Sequence, residues 1–118
     1  MLKVFTVIIL LLASSSSHAI WLNTTGKVAS IVTYAGRDTV LVNLDNHGTA
    51  VAECANNSTF AISLHNSIEQ RARMFAILLA AKASDKSVII SYSDTGGCEA
   101  WDSNPSAYRK ITRLYAID

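Results

Sequence analysis

The sequence predicts a mainly β domain carrying a single α-helix. Short runs rich in β-branched residues alternate apolar and polar positions between turns built from Gly, Asn and Asp. One run, Ser67 to Ala83, contains neither Gly nor Pro and repeats its apolar residues at helical spacing. Lys27 to Tyr34 opens the β pattern, with Val28, Ser30, Val32 and Tyr34 on one face and Ala29, Ile31 and Thr33 on the other. Ala35-Gly36-Arg37-Asp38 turns the chain, and Thr39 to Leu44 alternates again. Asp45-Asn46-His47-Gly48 supplies a second turn before a third strand, Thr49 to Cys54. Asn56-Asn57-Ser58 interrupts it, and Thr59 to Leu64 either resumes pairing or leads into the helix.

Asn66 is positioned to cap that helix, with Glu69 three residues on completing a capping-box-like pattern. Ser84-Asp85-Lys86 ends it, and Lys86 to Tyr92 reads as a fourth strand. Asp94 to Pro105 is a Gly-rich loop, and Tyr108 to Ile117 closes the chain as a fifth strand. A strand meander, a helix and two further strands describe an α+β unit: a small OB-like five-stranded barrel with one packed helix between strands 3 and 4. An open sheet with the helix across one face is the alternative.

The helix is apolar on more than one side. Ile68, Ala72, Phe75 and Leu79 form a stripe suited to cover the barrel, while Met74, Ile77, Leu78 and Ala81 lie largely off it. A domain of about a hundred residues has little material for a second layer. The off-stripe residues are therefore the expected oligomer interface, or else the helix sits in a deep groove of the sheet.

Met1 to Ala19 has the three parts of a signal peptide: Lys3, the apolar run Val4 to Leu12, and Ser17-His18-Ala19 with small residues where a signal peptidase needs them. The run is too short to span a bilayer, which takes roughly 20 apolar residues. Cleavage after Ala19 would leave a single domain, residues 20–118, exported to the periplasm or secreted, with no membrane insertion. Loss of Lys3 takes the ten basic residues to nine, against nine acidic ones, all beyond the cleavage site. A neutral domain lacks the clustered basic surface that nucleic acid requires, and Arg109, Lys110 and Arg113 read as a solvated strand end. In an oxidising compartment Cys54 and Cys98 are expected to form a disulfide, closing a loop of about 45 residues and stabilising the fold by roughly 3–4 kcal/mol. A metal site or catalytic thiol is the rival reading, but His47 and His65 form no ligand spacing with the cysteines.

No catalytic constellation, metal set or cofactor motif emerges, so the chain reads as non-enzymatic. No nucleophile elbow surrounds a serine, and Gly96-Gly97 is followed by Cys98 rather than a helix start. What remains is recognition. Tyr92, Trp101 and Tyr108 flank the loop before the last strand, with Asp94, Asp102 and Asn104 near them. Tyr92, Asp94, Trp101 and Asn104 are the candidate ligand-binding residues, because rings cover apolar C–H faces while carboxylates and carboxamides fix hydroxyls. The same residues serve equally as packing, with Trp101 against a disulfide and Tyr108 anchoring the last strand.

Ile20-Trp21, Val28 to Gly36, Val51-Ala52-Glu53-Cys54 and the run Lys86 to Tyr92 together resemble a known group. It is the pentamer-forming B subunits of bacterial AB toxins, in the branch of subtilase cytotoxin, typhoid toxin and pertussis-like toxins. The resemblance implies an OB fold, a pentamer formed partly through helices, a catalytic A-type partner subunit and binding of cell-surface glycans, often sialylated. Tyr92 falls where subtilase-type subunits have a glycan-site tyrosine, whereas Gly26 and Lys27 stand near the position of their sugar-binding serine. The family pairs two cysteines early in the chain; here Val40 to Leu44 holds none, which leaves Cys54 to Cys98. The function expected is an exported binding module, glycan-binding and oligomeric if toxin-B-like. The alternative is a stand-alone structural or inhibitor-like protein of the same fold with no sugar site.

Overall fold

The computed structural model describes residues 19–117, so the expected signal peptide up to His18 lies outside the described residues. The elements are β1 (Trp21–Val32), β2 (Val40–Leu44), β3 (Asn56–Ile62), α1 (Ile68–Ala83), β4 (Ser87–Ser93), β5 (Cys98–Trp101), β6 (Asn104–Lys110) and β7 (Arg113–Ala116). The strands form one sheet of seven in the order β5-β6-β3-β2-β1-β4-β7, with β5 and β7 as open edges. Every pairing is antiparallel except that of β3 with β6. The mainly β class with one helix between β3 and β4 agrees with the sequence pattern; the number of strands does not.

Two physical effects raise the count to seven. The Gly-rich segment after β4 hides a hairpin: Cys98 and Glu99 pair with Arg109 and Tyr108, and Trp101 pairs with Asn104 across a tight turn. Asp102 takes φ 52° in that turn, a left-handed conformation that Asp tolerates better than most residues. The expected last strand is divided because its neighbour changes. It runs beside β3 as far as Lys110, then Ile111 N donates to Ala61 O and Thr112 N to Ser91 O, and from Arg113 it pairs with β4.

β1 is likewise shared: Trp21 to Lys27 pair with β4, and Val28 to Val32 pair with β2. Thr24, Gly26 and Val28 point inward, but the register shifts between Val28 and Ser30. A bulge of this kind inverts the alternation. Ile31 then packs on the core, and Ser30 instead accepts a hydrogen bond from Asn43 Nδ2. The expected face of Val28, Ser30, Val32 and Tyr34 is therefore broken.

Thr49 to Cys54 is not a strand. Asn57 takes the role of a neighbouring strand there: its Oδ1 accepts from Val51 N at 2.7 Å and its Nδ2 donates to Val51 O and Cys54 O. A side-chain amide that mimics backbone lets the loop bury Val51 and Cys54 without a ladder. Gly48, at φ 70°, brings the loop close enough that a Cβ there would meet Thr24 Cβ and the Tyr92 hydroxyl at 2.8 Å.

The helix is capped one residue later than expected. Ser67 Oγ accepts from Gln70 N, and Gln70 Oε1 accepts from Ser67 N. Glu69 is left free to pair with Arg73, one turn on, at 3.5 Å. Its two faces are exchanged relative to the sequence expectation. Leu78 and Ala81 are core residues and Met74 and Ile77 pack against the core, whereas Ile68 is 77% and Leu79 51% exposed. Both stripes have helical period, so periodicity does not choose between them. Tertiary contacts do: α1 lies across β1, β4 and β7, and Lys82 Nζ reaches Val28 O and Ala29 O at the β1 bulge.

Candidate functional site

The closing turn of the β5–β6 hairpin sets an aromatic corner. Trp101 stands edge-to-face with Tyr108 at 5.7 Å on the adjacent strand. It stands likewise with Tyr34 at 5.3 Å, from the turn after β1. That turn is held by Arg37 N donating to Tyr34 O and by Gly36 at φ 77°. It also delivers the Arg37 guanidinium 4.4 Å above the Trp101 ring, where it pairs with the Asp102 carboxylate. Tyr34 is 51% exposed, and Trp101 and Tyr108 are half-buried, so the rings and the ion pair form one accessible surface. Asn104 sits at its rim, exposed, with its Oδ1 accepting from Ser106 N.

Of the four expected ligand residues, Trp101 and Asn104 meet here. Tyr92 does not. It alternates with Val88 and Ile90 on the inward face of β4, is fully buried, and donates its hydroxyl to Thr49 O at 2.8 Å. Packed edge-to-face on Phe60 at 5.1 Å, its ring is part of the core and is closed to any ligand. Asp94 is engaged elsewhere, accepting from Ile20 N at 2.8 Å and from the Thr95 hydroxyl, and so fastens the start of β1. Sequence reasoning missed Tyr34 and Arg37. An aromatic and a basic residue bracketing a Gly turn is a visible signal, but it does not say which distant strand the turn will meet.

Cys54 and Cys98 form the disulfide, with Cα atoms 5.6 Å apart, joining the Asn57-braced loop to β5. Next to it the structure corrects a further expectation. Arg109 is not at a solvated strand end but wholly buried. Its guanidinium lies 3.9 Å from the Phe60 ring centroid, and Nη1 donates to His47 O and Thr49 O. Nε and Nη2 have no hydrogen-bond partner. Burial pushes its pKa below the ordinary guanidinium value, opposed by Tyr92. Glu99 is also buried, with Oε2 unpartnered. Glu99 pairs in register with Tyr108 and Arg109 with Cys98, so the two side chains leave opposite faces of the hairpin and form no ion pair.

A concavity of about 420 Å³ lies elsewhere, between the start of α1 and β2, lined by Asp38, Val40, Ile68, Arg71, Ala72 and Phe75. Among the described residues, no three His, Cys, Asp or Glu side chains are placed to hold a metal ion. Nor, among them, is any helix long and apolar enough to cross a membrane. No family model matches the chain, and neither a curated protein nor a solved structure matches it.

Proposed function

We propose that this chain is an exported, non-enzymatic binding module that recognises a glycan through the Tyr34–Trp101–Tyr108 corner. The observation that carries the reading is three rings and an Arg–Asp pair brought together on one accessible surface, where the turn after β1 meets the disulfide-braced β5–β6 hairpin. Ring faces cover the C–H face of a sugar, and Asp102, Arg37 and Asn104 supply hydrogen bonds at the rim. The disulfide fits an oxidising compartment, periplasmic or extracellular, after loss of the leader. β6 and β7 read as one interrupted strand between β3 and β4, which supports the OB-like fold of toxin B subunits. The stripe of exposed Ile68, Ala72 and Leu79 with half-buried Phe75 supports self-association, as a pentamer if toxin-B-like and with an A-type subunit as a further partner. The same observations support a stand-alone structural role only through Arg37, which covers one face of Trp101.

The test is a broad glycan array probed with the exported, purified protein, paired with light scattering. Binding that falls about tenfold or more in Trp101→Ala, with the fold retained, is the expected result. Absence of binding to every glycan, or binding unchanged in that variant, refutes the assignment. A ring-sized mass supports the oligomer and a monomer removes it.

A further inference from the structure

The outer face of β1, β4 and β7 carries a second aromatic cluster. Register places Asn23 beside Ser91 and Ser91 beside Arg113, in one row across three strands. Trp21 and Tyr115 belong to the rows on either side, and both rings are exposed, at 50% and 39%. The Arg113 guanidinium lies 5.3 Å from each ring centroid. Its Nε donates to Ser91 Oγ at 3.2 Å, and Ser91 Oγ donates to Asn23 Oδ1 at 2.5 Å. A relay across three strands thus fixes the guanidinium from behind, and two rings hold it from the sides.

The other arginines outside the core are each matched to an acid: Arg37 to Asp102, half-buried Arg71 to Asp38 and Arg73 to Glu69. Among the described residues Arg113 has no such partner. Asp94, beyond the end of the Trp21 row, is already engaged by Ile20 N and Thr95. An oriented guanidinium with its Nη edge unmatched presents the planar fork that a carboxylate accepts in bidentate fashion. The flanking rings favour a flat apolar body attached to that carboxylate.

From this geometry we infer that the Trp21–Arg113–Tyr115 face is a binding site for a carboxylate borne on a planar or apolar body. It is separate from the Trp101 corner, which is assembled from the opposite end of β1 and the β5–β6 hairpin, and it stands whether or not that corner binds a glycan. Ser91 and Asn23 are positioning residues, acting through Arg113.

The experiment uses benzoate as the probe, with benzyl alcohol and phenyl phosphate as controls. It follows the Trp21 indole N–H and the Arg113 Nε–H resonances, assigned from Trp21→Phe and Arg113→Gln. Benzoate should shift both resonances saturably. Arg113→Gln should weaken binding about tenfold or more. Arg113→Lys should recover only part of the affinity, since a point charge lacks the fork. Absence of a saturable shift, an equal affinity in Arg113→Gln, or equal binding of benzyl alcohol overturns the site. Phenyl phosphate binding as tightly as benzoate overturns its assignment to carboxylates.

Discussion

Leu78 and Leu79 are adjacent on α1, yet the first is fully buried and the second 51% exposed. Truncating each to alanine isolates the tertiary environment, because residue type and helix propensity change identically. Leu78 contacts the central cluster that includes Val88, Ile90 and Leu114. Its loss combines the transfer term with a cavity, a cost of about 2–5 kcal/mol. For a domain near a hundred residues each kcal/mol moves Tm by roughly 4–8 °C, so Leu78→Ala should lower Tm by at least ~8 °C. Leu79→Ala removes half-solvated methyl groups and leaves no cavity, costing at most about 1 kcal/mol. Urea unfolding followed by far-UV circular dichroism, at two protein concentrations and with comparable slopes, measures both. Equal losses for the two variants, independent of concentration, would falsify this placement of the helix. A larger loss for Leu79→Ala than for Leu78→Ala, independent of concentration, would restore Ile68, Ala72, Phe75 and Leu79 as the core stripe. A loss for Leu79→Ala that grows on dilution would instead locate an interface between copies on that stripe.

Two further outcomes test the loop that closes over Arg109. Replacing both cysteines by serine should lower stability by roughly 3–4 kcal/mol, read as the difference in thermal unfolding from the oxidised protein. A variant as stable as the parent would show that the crosslink between Cys54 and Cys98 contributes nothing. Asn57→Ala strands the Val51 amide and two carbonyls, at a cost of about 1–3 kcal/mol. Amide hydrogen exchange at Val51 should accelerate in that variant more than exchange at Val42 in β2; equal acceleration would mean global loosening rather than a lost brace.

Local chemistry made the helix, the second half of β1, β2, β4 and the turns legible in the sequence, because period, capping residues and Gly–Asn–Asp clusters act over a few residues; the first half of β1, Trp21 to Gly26, lies outside the strand the pattern gives. The capping error illustrates the limit: Asn66 and Ser67 both carry a suitable oxygen, and only backbone geometry selects Ser67 and Gln70. The cysteine pair was legible too, because two cysteines allow one intramolecular pairing. The identity of the buried helix face was not, since two apolar stripes of equal period differ only in what the sheet presents to them. Nor was the loss of the Thr49 to Cys54 strand, which depends on where the Asn57 amide lands. Site reading failed for the same reason. Tyr92 and Trp101 are both aromatic residues at the borders of one Gly-rich segment. The inward parity of β4 buries the first, while the hairpin turn turns the second outward beside Tyr34 and Arg37. Arg109 and Arg113 sit four residues apart in one basic run; a change of neighbouring strand at Ile111 puts one guanidinium against Phe60 in the core and the other between two exposed rings. Sequence by itself determined the fold class, the helix and the cysteine pair, which follow from short-range period and residue chemistry. Tertiary structure alone decided which side of each element is buried, because that depends on register, and a shift of one residue carries a side chain to the opposite face.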